Sequence, residues 1–390
     1  METPFLFGRV VSKDSFTNRV NDISRLRNNL TNQINTILIS PRRWGKTSLV
    51  NKVATSLNSH TTKVIQLDLM GIRNEEEFYS VLARTTIKAT SGKLADWLKL
   101  IKDVFKHISP KISMGNDPLN DFEISFEWKD VEKNYKEILQ LPEKIAAQKN
   151  IKLIICIDEF QNIESFKDPL LFQKKLRTEW QHQKLVTYCL YGSKQHMMTS
   201  LFEKQSMPFY KFGDVMYLSK IERKEWVKYI QKQFAASHKI ITVEIADTIA
   251  AAVEDHSYYV QQLCYIIWLS AQRRITKELI EKSIDDLLIQ NTLLYSRDTE
   301  DLTGPQLNFL KALANGIETG LSSVEILKTY QLGTSANVVK IKKALQQKEL
   351  IEENSSGIYF MDPVFRLWFI KNILRKDILN FIRHGKNSSS

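Results

Sequence analysis

Two short strings in this 390-residue chain bring together the residue types that handle phosphate. The first is Gly45-Lys46-Thr47, preceded by the β-branched run Ile34-Asn35-Thr36-Ile37-Leu38-Ile39 and followed by a helix-like pattern. In that strand–loop–helix setting Ser40, Pro41, Arg42, Arg43, Trp44, Gly45, Lys46, Thr47 and Ser48 read as a phosphate-binding loop. Successive backbone N–H groups wrap the anion, and the helix N-terminus adds a partial positive charge. Lys46 would reach the β- and γ-phosphates of ATP, and the Thr47 hydroxyl would ligate Mg²⁺. The full pattern carries Gly six positions before the Lys, where this chain has Ser40. Ser40 precedes Pro41, which biases it toward extended geometry and a plain strand exit, so the loop is expected to form.

The second string is Asp158-Glu159, at the end of the near-continuous apolar run 151–157. Such a run suits a central parallel strand covered on both faces, and α/β folds place their ligands at the C-terminal ends of strands. Asp158 would hold Mg²⁺ directly or through water, and Glu159 would polarise an attacking water. Paired acids after a strand can be a solvated turn, but acids there together with Gly-Lys-Thr point to one nucleotide site. A further strand over 185–191 leads to Gly192-Ser193. Ser193 either hydrogen-bonds the attacking water or γ-phosphate, or caps the following helix. Arg177, after the paired acids, is either an arginine offered to a neighbouring site or part of a solvated helix face.

The elements that must position these groups alternate. Strand-like runs at 34–39, 63–69, 151–157, 185–191 and 214–219 are separated by helical periods, giving a mostly parallel α/β sheet over residues 1–215. Residues 109–128, with Pro110, Gly115 and Pro118 before the alternating Phe122-Glu123-Ile124-Ser125-Phe126, read as an inserted hairpin or flap. Ahead of the loop, Phe7, Gly8, Phe16 and Arg19 are candidates to cover an adenine, or belong to a segment packing on the sheet edge. From residue 221 the strands stop, and helical periods over 222–234, 243–254, 258–273 and 276–297 make a helical domain of 216–300. Thr303-Gly304-Pro305-Gln306 opens a helix with a capping box. Helices over 322–329 and 335–348 follow, then a hairpin turning at Asn354-Ser355-Ser356-Gly357, which together make a winged helix-turn-helix of 301–374. A basic tail, 375–390, ends the chain.

Composition narrows the setting. Hydrophobic residues at 43% and charged residues at 25% are those of a globular protein with several cores. The formal charge of +11 favours polyanionic partners. Cys156, Cys189 and Cys264 lie in apolar runs without metal-ligand spacing, so they read as buried reduced thiols. With no signal pattern and no apolar run long enough to span a bilayer, the expectation is a cytoplasmic protein without a membrane partner.

The chain resembles the archaeal-type ATPases of the STAND branch, relatives of the AAA+ proteins. Phe16-Thr17-Asn18-Arg19, Ser40 to Ser48, Asp158-Glu159-Phe160-Gln161, Gly192-Ser193, His256-Ser257-Tyr258-Tyr259-Val260-Gln261 and Met361-Asp362-Pro363-Val364-Phe365-Arg366-Leu367-Trp368 carry the likeness. It implies an AAA+-like P-loop NTPase core of three layers around a parallel sheet, a helical lid and a winged helix. It also implies an adenine-side contact from the stretch at His256, where this chain has Ser257 in place of the usual Pro.

The expected function is therefore an ATP-binding, slowly hydrolysing, Mg²⁺-dependent switch moving lid and winged helix. Lys46, Glu159 and Ser193 would be its catalytic groups. The alternative is a winged-helix DNA-binding regulator in which nucleotide is secondary, with Lys340, Lys342 and Lys343 facing the duplex. A protein partner or a second copy of the chain completes the expected partners.

Overall fold

The computed structural model describes residues 3–8, 19–90, 105, 107, 110–114, 122–354 and 356–378. Sequence expectations for Phe16, the helical period at 93–104 and the tail beyond 378 lie outside the described residues. The described residues fall into two compact units, one of residues 19–219 and one of residues 3–8 with 220–378.

In the first unit the order is α1 (Val20–Thr31), β1 (Thr36–Ile39), α2 (Lys46–Leu57), β2 (Thr62–Asp68) and α3 (Glu75–Thr90). Strands β3 (Lys111–Met114) and β4 (Phe122–Ser125) follow, then α4 (Trp128–Leu139), α5 (Leu141–Lys149) and β5 (Lys152–Asp158). A 3-10 helix (Phe160–Ser165), α6 (Pro169–Trp180), β6 (Val186–Gly192), α7 (Gln195–Glu203) and β7 (Asp214–Tyr217) complete it. Five strands form one sheet in the order β2-β5-β6-β1-β7, every neighbouring pair parallel.

The apolar runs explain the layering. Alternate residues of one strand serve opposite faces of the sheet. Ile37, Ile39, Ile155, Ile157, Tyr188 and Leu190 pack with α3 to α7. Leu38, Ile154, Cys156, Cys189 and Tyr191 pack with Leu26 and Leu30 of α1 and with Leu49, Val50 and Val53 of α2. Both faces are covered, so both sets must be apolar. Strands β3 and β4 pair antiparallel with each other, Lys111 opposite Ser125. The single helical period over 131–148 is broken in the structure at Gln140, which closes α4 and opens α5. Pro142 in the first turn of α5 is the reason: it has no N–H to continue a ladder and suits a helix start.

In the second unit α8 (Arg223–Ala236), α9 (Val243–Ala252), α10 (Ser257–Ser270) and α11 (Lys277–Glu300) share an apolar core with Phe5 from the chain's start. Then come α12 (Gly304–Ala314), α13 (Val324–Thr329), α14 (Ser335–Gln347), β8 (Ile351–Asn354), β9 (Gly357–Phe360) and α15 (Pro363–Asn372). Thr303 and Gln306 form the capping box at the start of α12. Strands β8 and β9 pair antiparallel, Ile351 opposite Phe360. Asn354 Oδ1 accepts from Ser356 N at 2.8 Å and Gly357 N at 3.2 Å, which closes the turn. Three helices followed by a hairpin make the winged helix-turn-helix.

Candidate functional site

Strand register sets the site. Ile39 lies beside Gly192, and Ile157 of β5 lies beside Leu190 of β6. The segments leaving β1, β5 and β6 therefore emerge side by side at one edge of the sheet, where ligands of open α/β sheets bind.

From β1 the chain passes through Ser40, fully buried, whose hydroxyl donates to the Pro41 carbonyl at 2.9 Å. Arg42 and Arg43 are exposed. Gly45 stands at the N-cap of α2 with φ +90°, a left-handed conformation that side chains disfavour. Among the described residues no side chain caps α2, and helix starts of this kind suit anions. Trp44 packs against the α1–α2 core, and its carbonyl accepts from Arg19 Nη2 at 2.9 Å. Arg19 is buried and also donates to Ser219 O at 3.0 Å and to Asp22 at 3.1 Å. Burial pulls its guanidinium below its ordinary value against the pull of Asp22. Arg19 thus braces the loop from behind. Ser48 is buried on α2.

Lys46 and Thr47 meet the paired acids. Lys46 Nζ lies 3.1 Å from Glu159 Oε1 and 3.8 Å from Asp158 Oδ1. Thr47 Oγ1 donates to Asp158 Oδ2 at 2.8 Å. The other Glu159 oxygen accepts from Ser193 Oγ at 2.8 Å and from Gln161 Nε2. Glu159 itself is left-handed, φ +49° and ψ +42°, a conformation that costs a non-glycine residue about 1–2 kcal/mol and that collects at functional sites. Burial lifts the Asp158 carboxyl above the usual carboxylate range, with Lys46 and Thr47 pulling the other way. Burial pushes Glu159 up as well, but Lys46, Gln161 and Ser193 outweigh it and hold that carboxyl below its ordinary value. The oxygens of Thr47 and Asp158, already adjacent, are a hard donor pair that suits Mg²⁺. The residues present fit both ATP and its metal.

The structure thus brings Lys46, Thr47, Asp158, Glu159 and Ser193 into one cluster beside residues 40–48. Helix α7 has Lys194 at its N-cap, so Ser193 is not that cap. Arg177 lies half-buried over the Phe212 ring at 5.0 Å, which is not a solvated face. Phe7, Gly8 and His256 belong to the second unit. The Phe7 ring centroid is 5.6 Å from that of Tyr258 and 5.4 Å from that of Tyr265. Gly8 has φ +72°, and His256 is the buried N-cap residue of α10, its ring 4.9 Å from Tyr259. Gln161 carried no role in the sequence reading, and Arg19, a candidate there to cover an adenine, is found bonded to Trp44 O, Ser219 O and Asp22. The signal for Gln161 was a glycine, Gly192, ending an otherwise bulky buried strand.

A family model described as a probable winged helix domain matches residues 293–371. No curated protein matches the chain. Among solved structures, a Walker-type ATPase of Pyrococcus abyssi is similar at 13% identity and TM-score 0.65, over 94% of this chain and 99% of that one. The ORC2 protein of Aeropyrum pernix, in ADPNP–ADP complexes, is similar at 15% identity and TM-score 0.56, over 98% and 100%. Its ADP form gives 14% and 0.52, over 99% and 98%. Likeness at such identities is one of fold: the chain shares the parallel α/β fold of these structures and has a winged helix domain toward its C-terminal end.

Proposed function

We propose that the protein binds ATP with Mg²⁺ and hydrolyses it slowly, as a STAND-type switch whose nucleotide state is read by the helical segment 216–300 and the winged helix of 301–374. The observation that supports this best is Lys46, buried at the N-terminus of α2 and facing Asp158 and Glu159. Lys46 would exchange these acids for the phosphates, joined by the backbone N–H groups of residues 40–48. Thr47 and Asp158 would hold the metal, whose charge neutralises the phosphate oxygens. Glu159, released from Lys46, would accept a proton from the attacking water, and Ser193 would keep the carboxylate in place. The test is ATP turnover by the purified protein and by Glu159→Gln. Loss of a positioned base lowers kcat by roughly 10²–10⁴-fold, with ATP still bound. A Glu159→Gln variant as fast as wild type sinks the assignment.

A second reading, duplex DNA as a partner of the winged helix, is favoured by the surface of α14. Lys340 and Lys343 are exposed there, while Lys342 is engaged with Glu353 at 2.8 Å. Contacts of that kind make log affinity fall with log salt by about 0.9 per phosphate, so Lys343→Ala should flatten that slope by about one contact. Absence of duplex binding at low salt removes DNA from the list of partners.

A further inference from the structure

Gln161 is 1% exposed and stands at the start of the 3-10 helix that follows the paired acids. Its amide lies where a side chain of Gly192 would be. A Cβ built on Gly192 would stand 1.9 Å from Gln161 Oε1 and 2.8 Å from Met198 Sδ. Gly192 is ordinary strand, so the glycine is there for space and not for its backbone freedom. The amide is oriented by chemistry, because a carboxylate only accepts hydrogen bonds. Nε2 must face Glu159 Oε2, and Oε1 is left buried with no partner among the described residues. A buried acceptor without a donor is rare and calls for an explanation.

The two Glu159 oxygens have different neighbours. Oε1 faces Lys46. Oε2 is taken by Gln161 and Ser193, which come from two different elements. Departure of Lys46 to a phosphate frees one oxygen and leaves the other fixed. We propose that Gln161, seated in the space that Gly192 leaves, is a positioning residue: it fixes Glu159 Oε2 so that Oε1 is presented to the attacking water whenever Lys46 is drawn away. The inference rests on the hydrolytic reading of the site. Gln161 touches neither water nor nucleotide and acts through Glu159 alone.

Two variants attack this from opposite sides. Gln161→Met keeps the bulk and removes the donor, whereas Gly192→Ala keeps Gln161 and pushes its amide out of place. Each should lower kcat by about 10²-fold, the cost of a catalytic group misplaced by an ångström, with KM for ATP little changed. The split itself is the readout, because a structural loss at the ATP site would raise KM as well as lower kcat. In the Gln161→Ala background, adding Gly192→Ala should lower kcat little further, since the methyl has lost its nearest neighbour and only the flexible Met198 side chain has to shift. Thermal melts of each variant separate misfolding from lost turnover, and loss of fold in Gln161→Met leaves Gly192→Ala to decide. Wild type that turns ATP over, with Glu159→Gln inactive and Gln161→Met or Gly192→Ala unchanged in kcat, overturns this inference alone. Multiplying effects of Gln161→Ala and Gly192→Ala overturn it as well. Wild type that binds ATP without turnover overturns the hydrolytic reading and this one together.

Discussion

Each unit encloses a half-buried carboxylate, and the two are held by opposite means. Glu159, in the α/β unit, faces the ammonium of Lys46 and adopts a left-handed backbone. Asp362, in the helical unit, is held by neutral donors from its own scaffold. Its Oδ2 accepts from the hydroxyls of Tyr259 and, at 3.1 Å, of Tyr295, both tyrosines buried. Its Oδ1 accepts from Val364 N at 2.8 Å and Phe365 N at 3.0 Å and so caps α15. Burial raises the Asp362 carboxyl above its ordinary value against these donors, while the net pull on Glu159 is downward. The contrast separates two uses of a buried acid. Neutral donors fixed to the backbone cannot be taken away, so Asp362 is a joint between α10, α11 and α15. The ammonium beside Glu159 comes instead from the side chain of another element, so the charge on Glu159 depends on a partner outside its own segment.

The largest effect that tests this contrast is Lys46→Ala. Truncating one member of a buried, hydrogen-bonded charge pair costs a ligand about 2–5 kcal/mol of affinity. ATP binding, measured by calorimetry, should weaken by that amount, while the two acids left facing each other take up a proton. Unchanged ATP affinity would mean that Lys46 is only the counter-ion of its acids, and the two carboxylates would then be alike. Asp362→Ala comes next. Loss of the cap and of the acceptor for two buried hydroxyls should lower the stability of the fold by about 2–4 kcal/mol. ATP affinity should not change. A variant as stable as wild type would show that the joint is idle.

The sequence carried the two acids unequally. Gly45, Lys46 and Thr47 are adjacent, and Asp158-Glu159 ends a run too apolar to be anything but a buried strand, so the site's parts were readable from local pattern. Their union was readable because α/β sheets put such strand ends at one edge. The order β2-β5-β6-β1-β7 was not, since it depends on pairings between distant segments. Gln161 was visible as a letter in a motif and invisible as a donor, because its place depends on a missing Cβ on another strand. Asp362 likewise stood inside a recognised string, with nothing local to show that Tyr259 and Tyr295 would meet it. Arg19 was placed near a nucleotide by its position before the loop, whereas its guanidinium is committed to Trp44 O, Ser219 O and Asp22. Caps fared better: Thr303 with Gln306 needs only neighbours in sequence, and it forms.

The smallest effect gives the finest test, because it turns on sign. Asp362→Asn keeps one acceptor oxygen, enough for the cap, and turns the other oxygen into an NH₂ donor against the two tyrosine hydroxyls, so at neutral pH it should cost about 1 kcal/mol, less than Asp362→Ala. A group whose folded value is raised binds protons more readily in the fold. Its contribution is fully present below the unfolded value and is lost as pH rises through the folded one. The stability of wild type over Asp362→Asn should therefore grow as pH falls through the carboxylate range. For Glu159, held below its ordinary value, the sign reverses: the contribution is present above the unfolded value and is lost as pH falls through the folded one. Wild type should then lose its advantage over Glu159→Gln across the same range. Denaturant melts of the three nucleotide-free proteins at several pH values read both slopes. Slopes of the same sign would mean that Lys46 does not stabilise the Glu159 charge, and that both acids are held in the same way.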